Sequence, residues 1–373
     1  MTTEPQERVG VWLVGARGSV ATTTVAGSAA LAAGLHPPIG LVTAGPAFAE
    51  AGLTPLDRLV FGGHDTNPTP LPKRAEQLAD AGVLPHGLPS AVAEDLARAD
   101  AAIRPGGPQP DDPRADAELV AAFAADISAF AANHRLARTV VVHLASTEPV
   151  PAADDARAPA SSLYAAAAVE AGCSYVNFTP ATGMHAPGLA ERAAAAGLPH
   201  AGRDGKTGQT LLRAALAPMF AQRELAVRAW SGSNLLGGGD GATLADPRAA
   251  AAKNAGKARA LADNLGTEPE GETHIDHVPA LGDWKTAWDH VAFDGFLGTR
   301  MVLQTIWQGC DSALAAPLVL DLVRLVSRAH ALGLAGPVPG LGFFFKDPDT
   351  PPPGLAAQHR ELLVLADRLA GRS

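Results

Sequence analysis

Residues 9–34 read VGVWLVGARGSVATTTVAGSAALAAG, and this stretch decides the fold. Its first part, VGVWLV, is a short β-branched run, and its last part has the small residues and the length of a helix. Between them lie Gly15 and Gly18, in a turn whose backbone amides and helix dipole suit a pyrophosphate. The turn departs from GxGxxG and no acid follows at about 20 residues, so a purely structural turn is an equal alternative on this motif alone.

The chain beyond this turn repeats the strand and helix pattern. Apolar runs at 59–61, 139–145 and 174–178 each end in a polar turn, and a helical stretch covers 117–135. This alternation predicts a parallel sheet. Asp65, at the end of a later strand, is the better candidate for an acid that binds ribose; its alternative is an ordinary turn aspartate. Residues 84–114 are rich in Pro, Gly and Asp and predict an excursion outside the sheet.

The character of the sequence changes after about residue 202. We expect a helix over 210–223, another beginning at Asp246 and Pro247, and antiparallel strands with one covered face over 272–308, where apolar and polar residues alternate. A last helix over 312–332 is expected to return to the first domain. The predicted fold class is α/β, with a Rossmann-type domain at 1–202, completed by 310–373, and an inserted α+β domain at 203–309 for catalysis and oligomerisation.

Composition excludes several classes of protein. The 373 residues carry a net charge of -9 without a local cluster of Lys and Arg, which argues against a nucleic-acid partner. We expect no membrane span and no signal peptide, and hence a cytosolic protein. The two cysteines, Cys173 and Cys310, form no CxxC motif and indicate buried free thiols.

Lysine is rare here, and its positions are informative. The chain has 23 Arg but only six Lys, and lysine is the one that can lose its proton when it is desolvated or crowded. Lys253 and Lys257 lie four apart on one predicted helix and therefore share a face. Lys285 and Lys346 each follow an apolar or aromatic stretch, where snorkelling is the alternative to a functional role.

Residues 202–223 predict an anion site. A polar glycine turn runs into an amphipathic helix, so free amides and hydroxyls would face a phosphate at the helix N-terminus. The residues concerned are Lys206, Thr207, Gly208, Gln209 and Thr210. The alternative is a threonine N-cap with nothing bound. Asp311 precedes the last predicted helix, where helix capping explains it. The HIDH run at 274–277 does not favour a metal, because His277 would point away from His274 and Asp276 on a strand.

Ten motifs together resemble the myo-inositol-1-phosphate synthase family, in its short actinobacterial form. They are GVWLVGARGSVATT (10–23), GGHD (62–65), ASTEP (145–149), SYVNFTP (174–180), GRDGKTGQT (202–210), NLLGGGDG (234–241), AAKNAGK (251–257), GDWK (282–285), CDSALAAPLVLDL (310–322) and FFFKDP (343–348). The resemblance implies active-site lysines at Lys253, Lys257, Lys285 and Lys346, and a phosphate loop at KTGQT. It implies NAD contacts at Gly15, Arg17, Gly18, Ser19, Val20, Asp65, Ser146, Thr147, Asp204, Asp240 and Asp311.

The resemblance also implies a reaction without net redox change. A hexose phosphate, most simply glucose 6-phosphate, would be oxidised at C5 by NAD, cyclised through attack of C6 on the C1 aldehyde, and reduced again. The implied roles are Lys253 as proton acceptor at the C5 hydroxyl, Lys346 near the oxyanions, and Lys257 and Lys285 on the phosphate and enolate charges. A homotetramer is also implied.

One departure from the family pattern keeps other functions open. The family has Asn where this chain has Gly237 to Gly239. A changed pocket makes fructose 6-phosphate an alternative substrate, with closure to a five-membered ring at its C2 ketone. A dehydrogenase that releases NADH, or a sensor without catalysis, are alternatives from other classes; the lysines in a lysine-poor chain argue against the sensor.

Overall fold

The structure is a computed structural model, and it describes residues 7–108, 112–149, 157–238, 261, 265–350 and 354–372. Asp240, Lys253, Lys257 and the helix predicted from Asp246 lie outside the described residues.

The described elements alternate along the chain. The strands are β1 (Val9–Val14), β2 (Leu59–Asp65), β3 (Ile103–Pro105), β4 (Arg138–His143), β5 (Ser174–Asn177), β6 (Pro199–Ala201), β7 (Ala226–Leu236), β8 (Thr273–His277), β9 (Trp284–Asp294), β10 (Arg300–Cys310) and β11 (Gly336–Pro337). The α-helices are α1 (Ser19–Ala32), α2 (Leu71–Asp80), α3 (Leu88–Ala91), α4 (Ala93–Ala101), α5 (Asp116–His134), α6 (Ala160–Glu170), α7 (Leu189–Ala195), α8 (Gly208–Gln222), α9 (Asp311–Ala331) and α10 (Leu355–Leu369).

Seven strands form a parallel sheet in the order β11-β6-β5-β4-β1-β2-β3. Successive valines of β4 pack into separate cores: Val140 and Val142 join the core that contains α1 and α9, whereas Val141 joins the core of α5 and α6. A strand covered on both faces has no polar alternation, which explains the unbroken valine run. The predicted Rossmann-type α/β fold is confirmed.

The prediction of an excursion over 84–114 was wrong. Within this segment, Leu96 and Ala99 of α4 are buried, and the short strand β3 pairs with β2 at the edge of the sheet. Its Pro105 sits on that edge, where a missing amide costs no ladder hydrogen bond to a further strand. The Pro and Gly residues therefore mark turns between short elements.

The other four strands form a second sheet, in the order β10-β9-β7-β8. Its β9 and β10 are antiparallel as predicted, but β8 runs parallel to β7, and β7 itself was missed. Residues 237–272 connect β7 to β8, and a connection of that length lets the chain return in the same direction. Helix α8 covers one face of the sheet through Phe220, which packs against Trp230 and Val291.

Helix α9 carries the chain back to the seven-stranded sheet. Val319, Val323 and Val326 are fully buried there, in the core that also contains α1. Among the described helices, none combines the length and the apolar composition needed to cross a membrane.

Candidate functional site

Two adjoining cavities open where β1, β2 and β4 end, which is where ligands bind in folds of this kind. The larger one, of about 530 Å³, begins at the glycine turn after β1, and we call it the glycine-turn cavity. The smaller one, of about 130 Å³, lies over the N-terminus of α8, and we call it the inner cavity. The two share walls at Val20, Leu144, Ala145, Leu236, Lys285 and Asp311.

The glycine turn packs closely against the end of β4, so that only glycine fits at residue 15. Gly15 has a φ of +85°, and a Cβ there would lie 2.9 Å from the Cα of Ala145. The amides of Gly15 and Ala16 both donate to the carbonyl of His64, which fixes the turn against the end of β2. Helix α1 then begins at Ser19 and directs its first amides at the cavity. These features fit the diphosphate of a dinucleotide.

Asp65 lies at the end of β2 and lines the same cavity. Its Oδ1 accepts a 2.6 Å hydrogen bond from the amide of Asn67, as an ordinary turn aspartate would. Its Oδ2 accepts a second 2.6 Å bond from the amide of Arg17, which a local turn does not explain. Asp65 therefore ties the glycine turn to the neighbouring strand at the wall of the glycine-turn cavity.

The predicted anion site is at the wall of the inner cavity. Thr207, Gln209 and Thr210 line this cavity, and Gly208 lies against Lys285, since a Cβ on Gly208 would be 2.9 Å from Lys285 Nζ. Thr207 holds the N-cap position of α8, but its hydroxyl donates to Asp311 Oδ1 at 3.2 Å and makes no side-chain cap bond. Simple capping therefore does not explain the threonine.

Lys206 lines neither of the two cavities. Its side chain is buried, and Nζ donates to Oε1 of Gln358 in α10. Burial lowers the pKa of Lys206 to about 8. The Lys206 ammonium is therefore held by α10 in this arrangement, and its role at a bound phosphate stays a prediction.

A buried network that the sequence did not reveal holds Gln209 in place. Asp289 of β9 is 1% exposed and accepts hydrogen bonds from Gln209 Nε2 (2.9 Å), from Arg213 Nε (2.8 Å) and Nη2 (2.6 Å), and from Trp230 Nε1 (2.8 Å). Asn234 Nδ2 donates to the other side of Gln209 at 2.8 Å. The available signal was a lone aspartate among the apolar positions of a strand.

Two lysines line the inner cavity, each beside a carboxylate. Lys346 Nζ donates to Asp204 Oδ1 at 2.8 Å, and Lys285 Nζ is ion-paired with Asp311 Oδ1. Both lysine side chains are only 11% exposed, so snorkelling was the wrong explanation. The capping interpretation of Asp311 was also wrong: it is the first residue of α9, and its carboxylate faces Lys285 and Thr207.

The remaining predicted residues divide between the two cavities. Those on the glycine-turn cavity are Gly15, Arg17, Gly18, Ser19, Val20, Asp65, Ser146, Lys285 and Asp311. Those on the inner cavity are Val20, Thr147, Asp204, Thr207, Gln209, Thr210, Lys285, Asp311 and Lys346. The positions of Asp240, Lys253 and Lys257 stay predictions, because all three lie outside the described residues.

Gly237 has a packing reason that the sequence alone does not reveal. A Cβ at this position would lie 2.5 Å from both N and O of Gly282, so the backbones of the two turns touch. No side chain, and hence no Asn amide, fits at 237 in this arrangement. Gly238 is less crowded, since a Cβ there would lie 3.5 Å from Gly282 O and 3.8 Å from Asp283 Oδ1.

Two buried histidines lie under the glycine-turn cavity. His64 Nδ1 is 3.1 Å from the Tyr164 hydroxyl and its Nε2 is 3.2 Å from Asp126 Oδ2. His143, at the end of β4, is fully buried, and burial lowers its pKa to about 4, so its ring is neutral near pH 7. In the part of the chain that the structure describes, no group of three or more His, Cys, Asp or Glu residues is placed to bind a metal ion.

Comparisons with known proteins agree on one family. A family model described as myo-inositol-1-phosphate synthase matches residues 9–362. An inositol-3-phosphate synthase of Bacteroides thetaiotaomicron is 31% identical over 392 residues, which cover 91% of this chain and 89% of that protein. The crystal structure of inositol-3-phosphate synthase from Caenorhabditis elegans has a TM-score of 0.80 at 21% identity and covers 98% of this chain and 86% of its own. The crystal structure of a myo-inositol-1-phosphate synthase-related protein from Thermotoga maritima has a TM-score of 0.78 at 23% identity. It covers 96% of this chain and 98% of its own.

Proposed function

Because the chain belongs to the myo-inositol-1-phosphate synthase family, we propose that it is an NAD-dependent cyclase that converts D-glucose 6-phosphate to 1L-myo-inositol 1-phosphate. The observation that carries the proposal is the shared wall of the two cavities. Lys285 and Asp311 line both, so a phosphoester at α8 and a dinucleotide at the glycine turn would meet beside one lysine and one carboxylate. The outcome of such a reaction is an isomerisation.

The glycine-turn cavity supplies the NAD site. Bound NAD would accept a hydride from C5 of the sugar and return it after ring closure, so no external oxidant or reductant is needed. Gly15 and Gly18 allow the backbone to approach the diphosphate, and the first amides of α1 donate to it. Asp65 stands where a carboxylate accepts from a ribose hydroxyl.

The N-terminus of α8 would hold the phosphate. The amides of the first helical turn lack helical acceptors, and the N-terminal end of the helix dipole favours an anion. Thr207 and Thr210 line the cavity at this end and offer hydroxyls. Asp289 fixes Gln209 and Arg213 behind them, so the loop does not have to be ordered by the substrate.

The lysines would then stabilise the negative charge that develops on the hexose and accept its hydroxyl proton. We assign Lys346 to the oxyanions that develop on the sugar, because its ammonium is fixed in the cavity wall by Asp204. Lys285, next to Gly208 and Asp311, is assigned to the phosphate and enolate charge. The family pattern assigns the proton acceptor at the C5 hydroxyl to Lys253 and a second charge-stabilising role to Lys257.

Fructose 6-phosphate remains the second candidate substrate, for a specific structural reason. The contact of Gly237 with Gly282 leaves no room for the amide that the family pattern has near this position. The substrate pocket of this chain is therefore lined differently at one wall. The same oxidation at C5 and attack by C6 would close a five-membered ring on the ketone of fructose 6-phosphate.

Product analysis distinguishes these functions. The purified protein is incubated with catalytic NAD and either hexose phosphate, and products are identified by ¹H and ³¹P NMR. The proposal expects inositol phosphate from glucose 6-phosphate without net NADH. A five-membered cyclitol phosphate from fructose 6-phosphate alone would establish the alternative substrate. Net NADH with an open-chain product would establish a dehydrogenase, and binding without turnover would establish a sensor.

We also infer that the chain forms a cytosolic homotetramer through the second sheet. Val302 and Ile306 of β10 are 57% and 70% exposed, and large apolar side chains in such positions are common at subunit interfaces. Light scattering on the purified protein tests this assembly: Ile306→Lys is expected to reduce the mass, and a wild-type monomer would contradict it.

A further inference from the structure

The GDWK segment, residues 282–285, is bonded directly to the start of α1. Ser19 is the first residue of that helix, and its Oγ donates to Asp283 Oδ1 at 2.6 Å. Arg74 of α2 donates to the same Ser19 Oγ at 2.7 Å and lies 3.6 Å from Asp283 Oδ2. The side chains of Arg74 and Asp283 are only 24% and 19% exposed, so salt in the solvent screens this ion pair weakly.

The next residue strengthens the same connection. Trp284 Nε1 donates to the carbonyl of Ala81, just beyond α2, at 2.8 Å. The indole also lies beside Gly82, where an added Cβ would be 3.9 Å from Trp284 Nε1. On the opposite side of the segment, Gly282 touches Gly237, so the segment is held at both of its ends.

These contacts connect two opposite sides of the glycine-turn cavity. Ser19 and Arg74 line it from the seven-stranded domain, whereas Asp283 and Trp284 line it from the second sheet. Lys285 follows directly and reaches the inner cavity. The cavity of about 530 Å³ exists with all four contacts made, so the contacts form part of its wall and do not fill it.

The proposed reaction makes such a wall useful. After the first hydride transfer, the electron pair from C5 resides on the reduced dinucleotide, the hydroxyl proton has gone to a base, and the sugar is a ketone. If the reduced dinucleotide leaves at this point, the ketone cannot be reduced and no cyclitol forms. A cyclase therefore needs slower cofactor release than a dehydrogenase, for which release completes each turnover.

We propose that Arg74, Asp283 and Trp284, acting with Ser19, form a clasp that retains the reduced dinucleotide between the two hydride transfers. The clasp rests on the proposed function, since only a reaction without net redox change needs it. Its residues are positioning residues: they hold the GDWK segment against α1 and leave the chemistry to the lysines. Arg74 also places a cation beside the helix end where the diphosphate is expected.

The clasp is tested by the release of NADH. Protein loaded with NADH is mixed with excess NAD in a stopped-flow instrument, and the loss of bound nicotinamide fluorescence gives the dissociation rate. We expect Asp283→Asn, Arg74→Met and Trp284→Phe to release NADH roughly tenfold faster than wild type, because each change weakens or removes a hydrogen bond or ion pair of the clasp, charge-assisted for Asp283 and Arg74 and neutral for Trp284. Lys73→Met is the matched control, because Lys73 precedes Arg74 on α2 but is 62% exposed and pairs only with Glu76 among its described contacts.

A second measurement follows leakage during turnover. Lactate dehydrogenase reduces pyruvate to lactate with any free NADH and returns NAD, so one lactate forms for each cycle in which NADH leaves before the second hydride transfer. Wild type and Lys73→Met are expected to form cyclitol phosphate with little lactate, and the clasp variants to form lactate and keto sugar phosphate in equal amounts. Folding of each variant is checked by thermal unfolding, and the conservative Trp284→Phe keeps the test valid if another variant is unstable.

The outcomes separate the two proposals. If wild type cyclises the sugar but the folded variants release NADH at the wild-type rate, the clasp is wrong and the proposed function stands. If wild type forms no cyclitol phosphate from either hexose phosphate, the proposed function is wrong, and the clasp with it.

Discussion

Lys346 is joined to Asp204 twice: its amide donates to the Asp204 carbonyl at 2.7 Å, and its Nζ donates to Oδ1 at 2.8 Å. A backbone bond and an ion pair between the same two residues leave the ammonium little freedom. Its direction into the inner cavity is therefore set before any substrate binds, as an electrostatic role in catalysis requires.

We predict that Lys346→Met lowers kcat by roughly 100-fold or more, because a preorganised donor to an oxyanion is lost. The affinity for NAD, measured by calorimetry, should stay within about twofold of wild type, since Lys346 does not line the glycine-turn cavity. Lys73→Met serves as the control with normal turnover. An unchanged kcat in Lys346→Met would remove this lysine from the mechanism.

Removal of the Asp289 charge should destabilise the fold severely. Asp289→Asn leaves the buried Arg213 guanidinium without its carboxylate, which costs about 3 to 5 kcal/mol of unfolding free energy. The control is Asp294→Asn on the same strand, whose partner Arg228 is 69% exposed, so its cost should stay below about 1 kcal/mol. Urea denaturation compares the two, and equal costs would contradict the assigned network.

Gly15→Ala should abolish NAD binding. The new Cβ would meet the backbone of residue 145 at 2.9 Å, in addition to the strain of a φ of +85°. Gly34→Ala is the control for backbone strain without a clash, because Gly34 has a φ of +67° and no heavy atom lies within 4 Å of the new Cβ. We expect this variant to lose about 1 kcal/mol of unfolding free energy and to bind NAD with normal affinity. Titration calorimetry with NAD distinguishes them, and normal affinity in Gly15→Ala would mean that the dinucleotide binds elsewhere.

The free energy of unfolding should depend on pH through the ionisation of Asp321. Burial raises the pKa of this carboxyl to about 6, above its unfolded value, so the folded state prefers the neutral form. The protonated carboxyl therefore stabilises the folded state below about pH 4, and this stabilisation is lost as the pH rises through about 6. The free energy of unfolding should fall by about 3 kcal/mol in all, as for a difference of about two pKa units between the folded and unfolded states. Asp321→Asn should remove this slope from urea midpoints measured between pH 4 and 7, whereas Asp367→Asn at the surface should keep it.

Lys206 should make the affinity for sugar phosphate depend on pH. Burial lowers the pKa of Lys206 to about 8, so the charge behind the phosphate loop is lost between pH 7 and 9. The dissociation constant of the sugar phosphate should rise over this range in wild type, and less steeply in Lys206→Met. Parallel profiles by calorimetry would show that this ammonium does not act on the bound anion.

The sequence was sufficient to predict the parts of the fold that depend on local patterns. The stretch from Val9 to Ala32 forms the predicted strand, turn and helix, and the buried valines of β4 lie in the predicted parallel sheet. The strand β3 and the parallel pairing of β8 were not predictable, because both depend on partners distant in the chain.

The candidate site shows the same difference between residues that a local motif reveals and residues that matter only through distant contacts. Thr207, Lys285 and Lys346 stand in motifs and were singled out from the sequence alone. Asp289 and Arg74 were missed, because their importance lies in contacts with residues 80 and 55 positions away, Gln209 and Ser19, and single residues carry no periodic signal. The hydrogen bond of Lys206 to Gln358 was not predictable either, because the two residues lie 152 positions apart in the chain.

The most direct test of the central claim uses D-[5-²H]glucose 6-phosphate with a catalytic amount of unlabelled NAD. We predict a cyclitol phosphate that retains deuterium at the carbon derived from C5, with no accumulation of reduced dinucleotide, because the same hydride is removed and returned within one closed site. Deuterium found in released NADH, beside an uncyclised keto sugar phosphate, would contradict the account.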